Sequence, residues 1–119
     1  MFLALCSAND SITVLAQAPL TVPAVRPLVP TAVATADSLF FSMEPLASFR
    51  RLEARVDIAP NDYEARWRAA RAALVLGVIE EDRERTDRWL RIAVQHASEA
   101  LALRPDNVDA IAWLAAAKG

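Results

Sequence analysis

An all-α fold of about four helices, stacked as antiparallel pairs like a fragment of an α-solenoid, is what this sequence predicts, and three observations predict it. From Pro45 onward apolar residues recur at spacings of three and four, the period of a helix with one buried face. The block Pro60-Asn61-Asp62-Tyr63-Glu64-Ala65 returns as Pro105-Asp106-Asn107-Val108-Asp109-Ala110, so one helix-joining grammar is used twice. Charge is unevenly spread: residues 1–43 carry only Asp10, Arg26 and Asp37, while the remaining stretch holds every other acid and base.

Taken in order, residues 1–35 read as an extended or disordered segment. Pro19, Pro23, Pro27 and Pro30 recur every three or four positions, and proline removes a backbone donor that a helix or central strand requires. Prolines spaced by Val and Ala suit a polyproline-like linker. The same stretch also reads as the remnant of an export signal, with Met1-Phe2-Leu3-Ala4-Leu5 as the apolar run, Ala16-Gln17-Ala18 as a small-x-small cleavage site and Cys6 in a lipoprotein-like setting. Extracytoplasmic and cytoplasmic locations both stay open. No transmembrane span is expected, because prolines and Arg26 interrupt the apolar stretch well short of about 20 residues.

Residues 36–119 form the expected helical domain. Phe49, Leu52, Val56 and Ala59 define the apolar face of a first helix over residues 46–59, with Arg50, Arg51, Glu53 and Arg55 largely opposite. Pro60 stops it. Asn61-Asp62 cap a second helix whose stripe is Tyr63, Trp67, Ala70 and Leu74, with Gly77 as its expected C-terminal stop. The run Glu80-Glu81-Asp82-Arg83-Glu84-Arg85 is mixed in sign and reads as a solvated loop or helix start. A third helix over residues 86–103 carries two stripes, Trp89, Ala93, His96, Ala100 and Leu90, Val94, Ala97, Leu101, which predicts contacts on two sides. A fourth begins at Val108 and leaves the last repeat incomplete at Gly119. Its apolar residues Val108, Ile111 and Ala115 have no evident cover, which predicts a homodimer through them.

Composition narrows the function. A chain of 119 residues with two glycines, one cysteine and one histidine has little material for site chemistry. No phosphate-cradling glycine loop can be built around Gly77, His96 has no second histidine to share a metal, and Cys6 lies far along the chain from His96. Neither a catalytic residue, a cofactor nor a metal ligand is therefore assigned, and the chain is not expected to be an enzyme. The net charge of -2 argues against nucleic acid, whose phosphates need a basic face.

The repeated blocks, together with Ala93 and Ala100-Leu101 ahead of Pro105, resemble the tetratricopeptide repeat family, in which a small residue and a larger apolar one precede a closing proline. Small residues belong where paired helices cross closely, and Ala65, Ala69, Ala93 and Ala100 fit that place. The match is degenerate. The family's tryptophan, leucine-glycine and tyrosine positions are here Arg66, Ala69-Ala70 and Ala73, Trp67 falls one residue late, and Ala97 replaces an aromatic. Pro60 and Pro105 stand 45 residues apart where the family repeat is about 34, which places an insertion over residues 78–88. Residues 63–72, the charged connection and Asp87-Arg88-Trp89-Leu90 further resemble bacterial relatives of the regulator of microtubule dynamics proteins. No microtubule role is carried over from that likeness.

The tetratricopeptide resemblance implies a protein-binding scaffold whose concave face holds an extended peptide or a partner helix. In that register Trp67 and Arg71 face the groove, with Glu64 and Arg68 beside them. The lysine and asparagine set that clamps a terminal carboxylate in chaperone-binding members is missing. The alternative is a self-associating structural or capping fragment of a longer repeat protein.

Overall fold

Pro30 is the first of the described residues. In the computed structural model, which describes residues 30–119, it stands at the N-cap of a helix and its carbonyl accepts from the N–H groups of Val33 and Ala34 at 3.0 and 3.1 Å. Five helices follow: α1 (Thr31–Phe41), α2 (Pro45–Ile58), α3 (Tyr63–Ile79), α4 (Arg83–Leu103) and α5 (Val108–Lys118). No strand occurs among the described residues, so the expected all-α class holds.

Helix α1 corrects the sequence reading, which kept residues 31–35 extended and began the first helix at 46. Beyond Pro30 no proline recurs until Pro45, and Val33, Ala36 and Phe40 follow at three and four. Val33 and Ala36 are fully buried, and Phe40 packs against them at the edge of the core. The readings made on residues 1–29, including the linker, the cleavage site and Cys6, lie outside the described residues. Helix α1 closes with the N–H of Met43 on the Phe40 carbonyl and that of Glu44 on the Leu39 carbonyl, which puts Met43 in the left-handed region at φ 66. Pro45 then starts α2 at a position where its missing N–H costs nothing.

The connections between helices are three or four residues long, which turns each helix back on the one before. Each helix packs on the next, and α3 also touches α1 and α5, so α3 lies at the centre of the stack. Its composition suits the place: Ala65, Ala69, Ala70, Ala72 and Ala73 have no exposed surface and let neighbouring axes come close on several sides. The ends of α3 and α4 also differ from those the sequence predicts. Gly77 does not stop α3, which continues to Ile79; it is a buried helical residue pressed against α4, where an added Cβ would lie 3.1 Å from Leu90 Cδ2 and 3.3 Å from Trp89 Cβ. Helix α4 starts at Arg83 rather than Thr86, because the Asp82 carboxylate accepts from the Arg85 N–H at 2.9 Å and so caps it within the charged run.

The other caps fall where the repeated blocks place them. Asp62 accepts from the Ala65 N–H at 3.2 Å and Asn107 from the Asp109 N–H at 3.0 Å. The core joins Leu52, Phe49 and Val56 of α2 to the alanines of α3 and to Ala93 of α4, with a smaller cluster of Tyr63, Ala100 and Ala110 tying in α5. Two polar links cross between helices inside it: the Ser48 hydroxyl donates to the Ala36 carbonyl at 2.7 Å, and the Ala110 N–H donates to the Tyr63 hydroxyl at 3.3 Å. No described helix is long and apolar enough to cross a membrane.

Candidate functional site

Glu64, Trp67, Arg68 and Arg71 are spaced three, four and seven residues along α3, so the helix presents them on one side. The structure brings all four into a single polar and aromatic network. Glu64 Oε2 accepts from the Trp67 indole N–H at 3.0 Å and from the Arg68 guanidinium, and the Arg68 guanidinium also lies over the Trp67 ring at 4.3 Å. Trp67 is thus held at its N–H and on its face while its ring stays partly exposed.

The other half of the network comes from α1. Asp37 Oδ2 accepts from Arg68 Nε at 2.8 Å and Asp37 Oδ1 from an Arg71 terminal nitrogen at 2.7 Å, one carboxylate bridging two guanidinium groups. Phe40, one turn on from Asp37, lies beneath the Arg71 guanidinium at 3.9 Å. Arg71 is only 7% exposed, so it works from inside the α1–α3 junction, whereas Glu64 and Trp67 reach the surface. Burial alone would lower the Arg68 pKa; the hydrogen bonds to Glu64 and Asp37 outweigh it and hold the guanidinium above its ordinary value.

Asp37, Phe40 and Arg104 belong to this site and were missed in the sequence reading. Arg104, in the turn after α4, lies over the Tyr63 ring at 4.7 Å and 3.7 Å from Glu64 Oε1, with its side chain more than half exposed. Asp37 had left a signal, a lone acid in an almost uncharged stretch. Nothing local could pair it with arginines 31 and 34 residues away.

On the other side of α3, Arg66 donates to the Pro60 carbonyl at 3.0 Å and pairs with Glu99 of α4. Its guanidinium stands 3.4 Å from His96 Nδ1, and the His96 ring packs edge-on to Phe49 at 6.0 Å. His96 is 8% exposed. Burial pushes its pKa below the ordinary value and Arg66 pushes the same way, against a smaller pull from Glu99. The folded chain therefore takes up this proton less readily than the unfolded chain. The stability that neutral His96 preserves is complete above pH about 6.5 and is lost as pH falls from there toward the depressed folded value. Urea midpoints of the native chain are expected to fall as pH is lowered below about 6.5, and His96→Gln is expected to flatten that slope. An equal slope in both proteins would remove His96 from the account.

The arrangement has the makings of a docking surface: an aromatic ring held in one orientation, flanked by a carboxylate and by an accessible guanidinium. No curated protein and no solved structure gives a significant match. The family model described as "Regulator of microtubule dynamics protein 1-3" matches residues 32–119. That match runs from the second residue of α1 through α5 and takes in the Asp37 bridge and the whole α3 face, so the chain belongs to the regulator of microtubule dynamics protein 1-3 family.

Proposed function

We propose that the domain is a non-catalytic protein-interaction scaffold, and that a partner peptide or helix lies along the tetratricopeptide-like concave side formed by α1 and α3, against Glu64, Trp67 and Arg68, with Arg104 at its rim. The observation that supports this reading best is the state of Trp67. Its indole N–H is satisfied by Glu64 and its face is covered by Arg68, yet part of the ring remains open to solvent. A large aromatic already fixed in one rotamer gives up little entropy on binding, which is what an anchor residue needs. Arg71 contributes from below by holding Phe40 and Asp37, and hence α1, in place against α3.

The test is capture of a discrete partner by the full chain, compared with Trp67→Ala. The variant should keep its helical circular dichroism, since the ring is only partly buried, and should bind at least about 30-fold more weakly, the loss typical of a hot-spot aromatic. Undiminished capture by a folded Trp67→Ala protein would overturn the reading. The self-associating or capping alternative draws on a different surface. Val108 is 74% exposed and Ile111 47% exposed on α5, a helix that buries only Ala110 and Ala117.

A further inference from the structure

Helices α2 and α4 both pack on α3 without meeting each other. No Cα of one comes within 8 Å of a Cα of the other, and the gap is bridged by Phe49, whose ring meets Trp89 at 5.1 Å and His96 at 6.0 Å. Toward Pro60 the gap stays open as a cleft of about 600 Å³. Val56 and Ile92 give it apolar surface, Glu53 and Asp57 stand on the α2 wall, and Gln95 and Glu99 stand on the α4 wall.

The fold leaves the charges of this cleft unbalanced. Arg66 is the one base among its lining residues, and it is taken up by Glu99 and the Pro60 carbonyl. Of the bases near Glu53 and Asp57 on α2, Arg55 is paired with Asp62 and Arg50 lines the other end of the gap, beside Trp89. Glu53 and Asp57 themselves are exposed, lie one helical turn apart and have no ion-pair partner among the described residues. Two like charges at that spacing repel, and a cation from outside the chain would relieve the repulsion.

A second observation comes from the floor. His96 lines the same cleft and is 8% exposed. A guanidinium can only donate, so the Arg66 contact at 3.4 Å makes Nδ1 of His96 the acceptor and puts the ring proton on Nε2. That N–H has no hydrogen-bond partner among the described residues and is not enclosed by protein. A donor on a side chain more than nine-tenths buried therefore opens on the cleft and lacks an acceptor. A peptide backbone carries one; a bare cation does not.

We propose that this cleft binds an extended segment of a partner protein in which two lysines or arginines flank an apolar residue. In an extended chain, side chains two residues apart project to the same side about 6.6 Å apart, close to the axial rise of about 6 Å between Glu53 and Asp57. The two bases meet the two carboxylates of α2, the residue between them turns toward Ile92 on the other wall, and a backbone carbonyl accepts from His96 Nε2. The surface is separate from the α1–α3 face and takes a partner of different chemistry.

The probe is a fluorescein-labelled peptide with the core Lys-Val-Lys, titrated with the full chain and followed by anisotropy, with a Glu-Val-Glu peptide as control. Saturable binding with Kd on the order of 100 µM is expected for the first and none for the second. Glu53→Gln combined with Asp57→Asn should weaken binding at least about tenfold and leave the urea midpoint unchanged or raised, since both side chains are exposed and their repulsion is gone. Glu81→Gln combined with Asp87→Asn removes the same net charge from exposed positions elsewhere and should leave the affinity unchanged. Glu53→Lys combined with Asp57→Lys should transfer binding to the Glu-Val-Glu peptide. A Lys-Val-Lys peptide that fails to saturate below about 1 mM overturns the proposal. So does binding that survives loss of the two α2 carboxylates, that falls equally with the substitutions at Glu81 and Asp87, or that charge reversal does not transfer. Trp67→Ala should not move this binding curve, which separates the test from that of the α1–α3 face; a weakened curve would place the peptide there and overturn the assignment to the α2–α4 cleft.

Discussion

Replacing Gly77 with leucine is expected to cost the fold about 3 kcal/mol, read as a lower urea midpoint at unchanged slope. The position is already closed. A single Cβ would sit 3.1 Å from Leu90 Cδ2, the movable end of a side chain, but also 3.3 Å from Trp89 Cβ, which cannot move without its backbone. A leucine brings three more carbons into that gap, and the only relief is to part α3 from α4 along the most extensive helix contact in the stack. Alanine at the same site should change stability by no more than about 1 kcal/mol, since the gain in helix propensity over glycine opposes the tight contact. A neutral Gly77→Leu would mean that the two helices do not meet here.

Asp37→Ala is expected to lose about 2–3 kcal/mol, because it leaves the Arg71 guanidinium buried without a counter-charge. The side chain of Asp37 is itself about a quarter exposed, which keeps the loss below that of a fully enclosed pair. The double variant Asp37→Leu with Arg71→Met should be more stable than Asp37→Ala alone, since two apolar side chains satisfy the junction that one orphaned charge does not. The coupling between the two positions, measured by a double-mutant cycle in urea, should exceed about 1 kcal/mol. Additive losses would place the two residues in separate environments and remove the bridge from the explanation of how α1 is held.

These two sites also show what could be read from the chain without coordinates. Helices α2 through α5 and their caps at Asp62 and Asn107 were legible, because a proline, a capping side chain and a three-four apolar rhythm all act within a few residues of one another. Helix α1 was not. Its stripe consists of Val33, Ala36 and Phe40 only, directly behind a run of prolines, and its burial comes from α2, including the Ser48 hydrogen bond to the Ala36 carbonyl. Gly77 misled for a related reason. Near the end of a helical pattern glycine ordinarily marks a stop, but here close packing against α4 leaves room for a methyl group at most. The site divides the same way. The grouping of Glu64, Trp67, Arg68 and Arg71 followed from helical spacing, whereas the Asp37 bridge spans more than thirty residues and the burial of Arg71 depends on it.

The most direct test of the proposed docking face is a hydrogen-exchange map of the full chain with and without a captured partner. Slowed exchange is expected over the first turns of α3, residues 63–71, in the Arg104 turn and on α1, with no change along α2 on the far side of the stack. Protection confined to α2 or to the exposed side of α5, with the Trp67 segment exchanging as in the free protein, would contradict it.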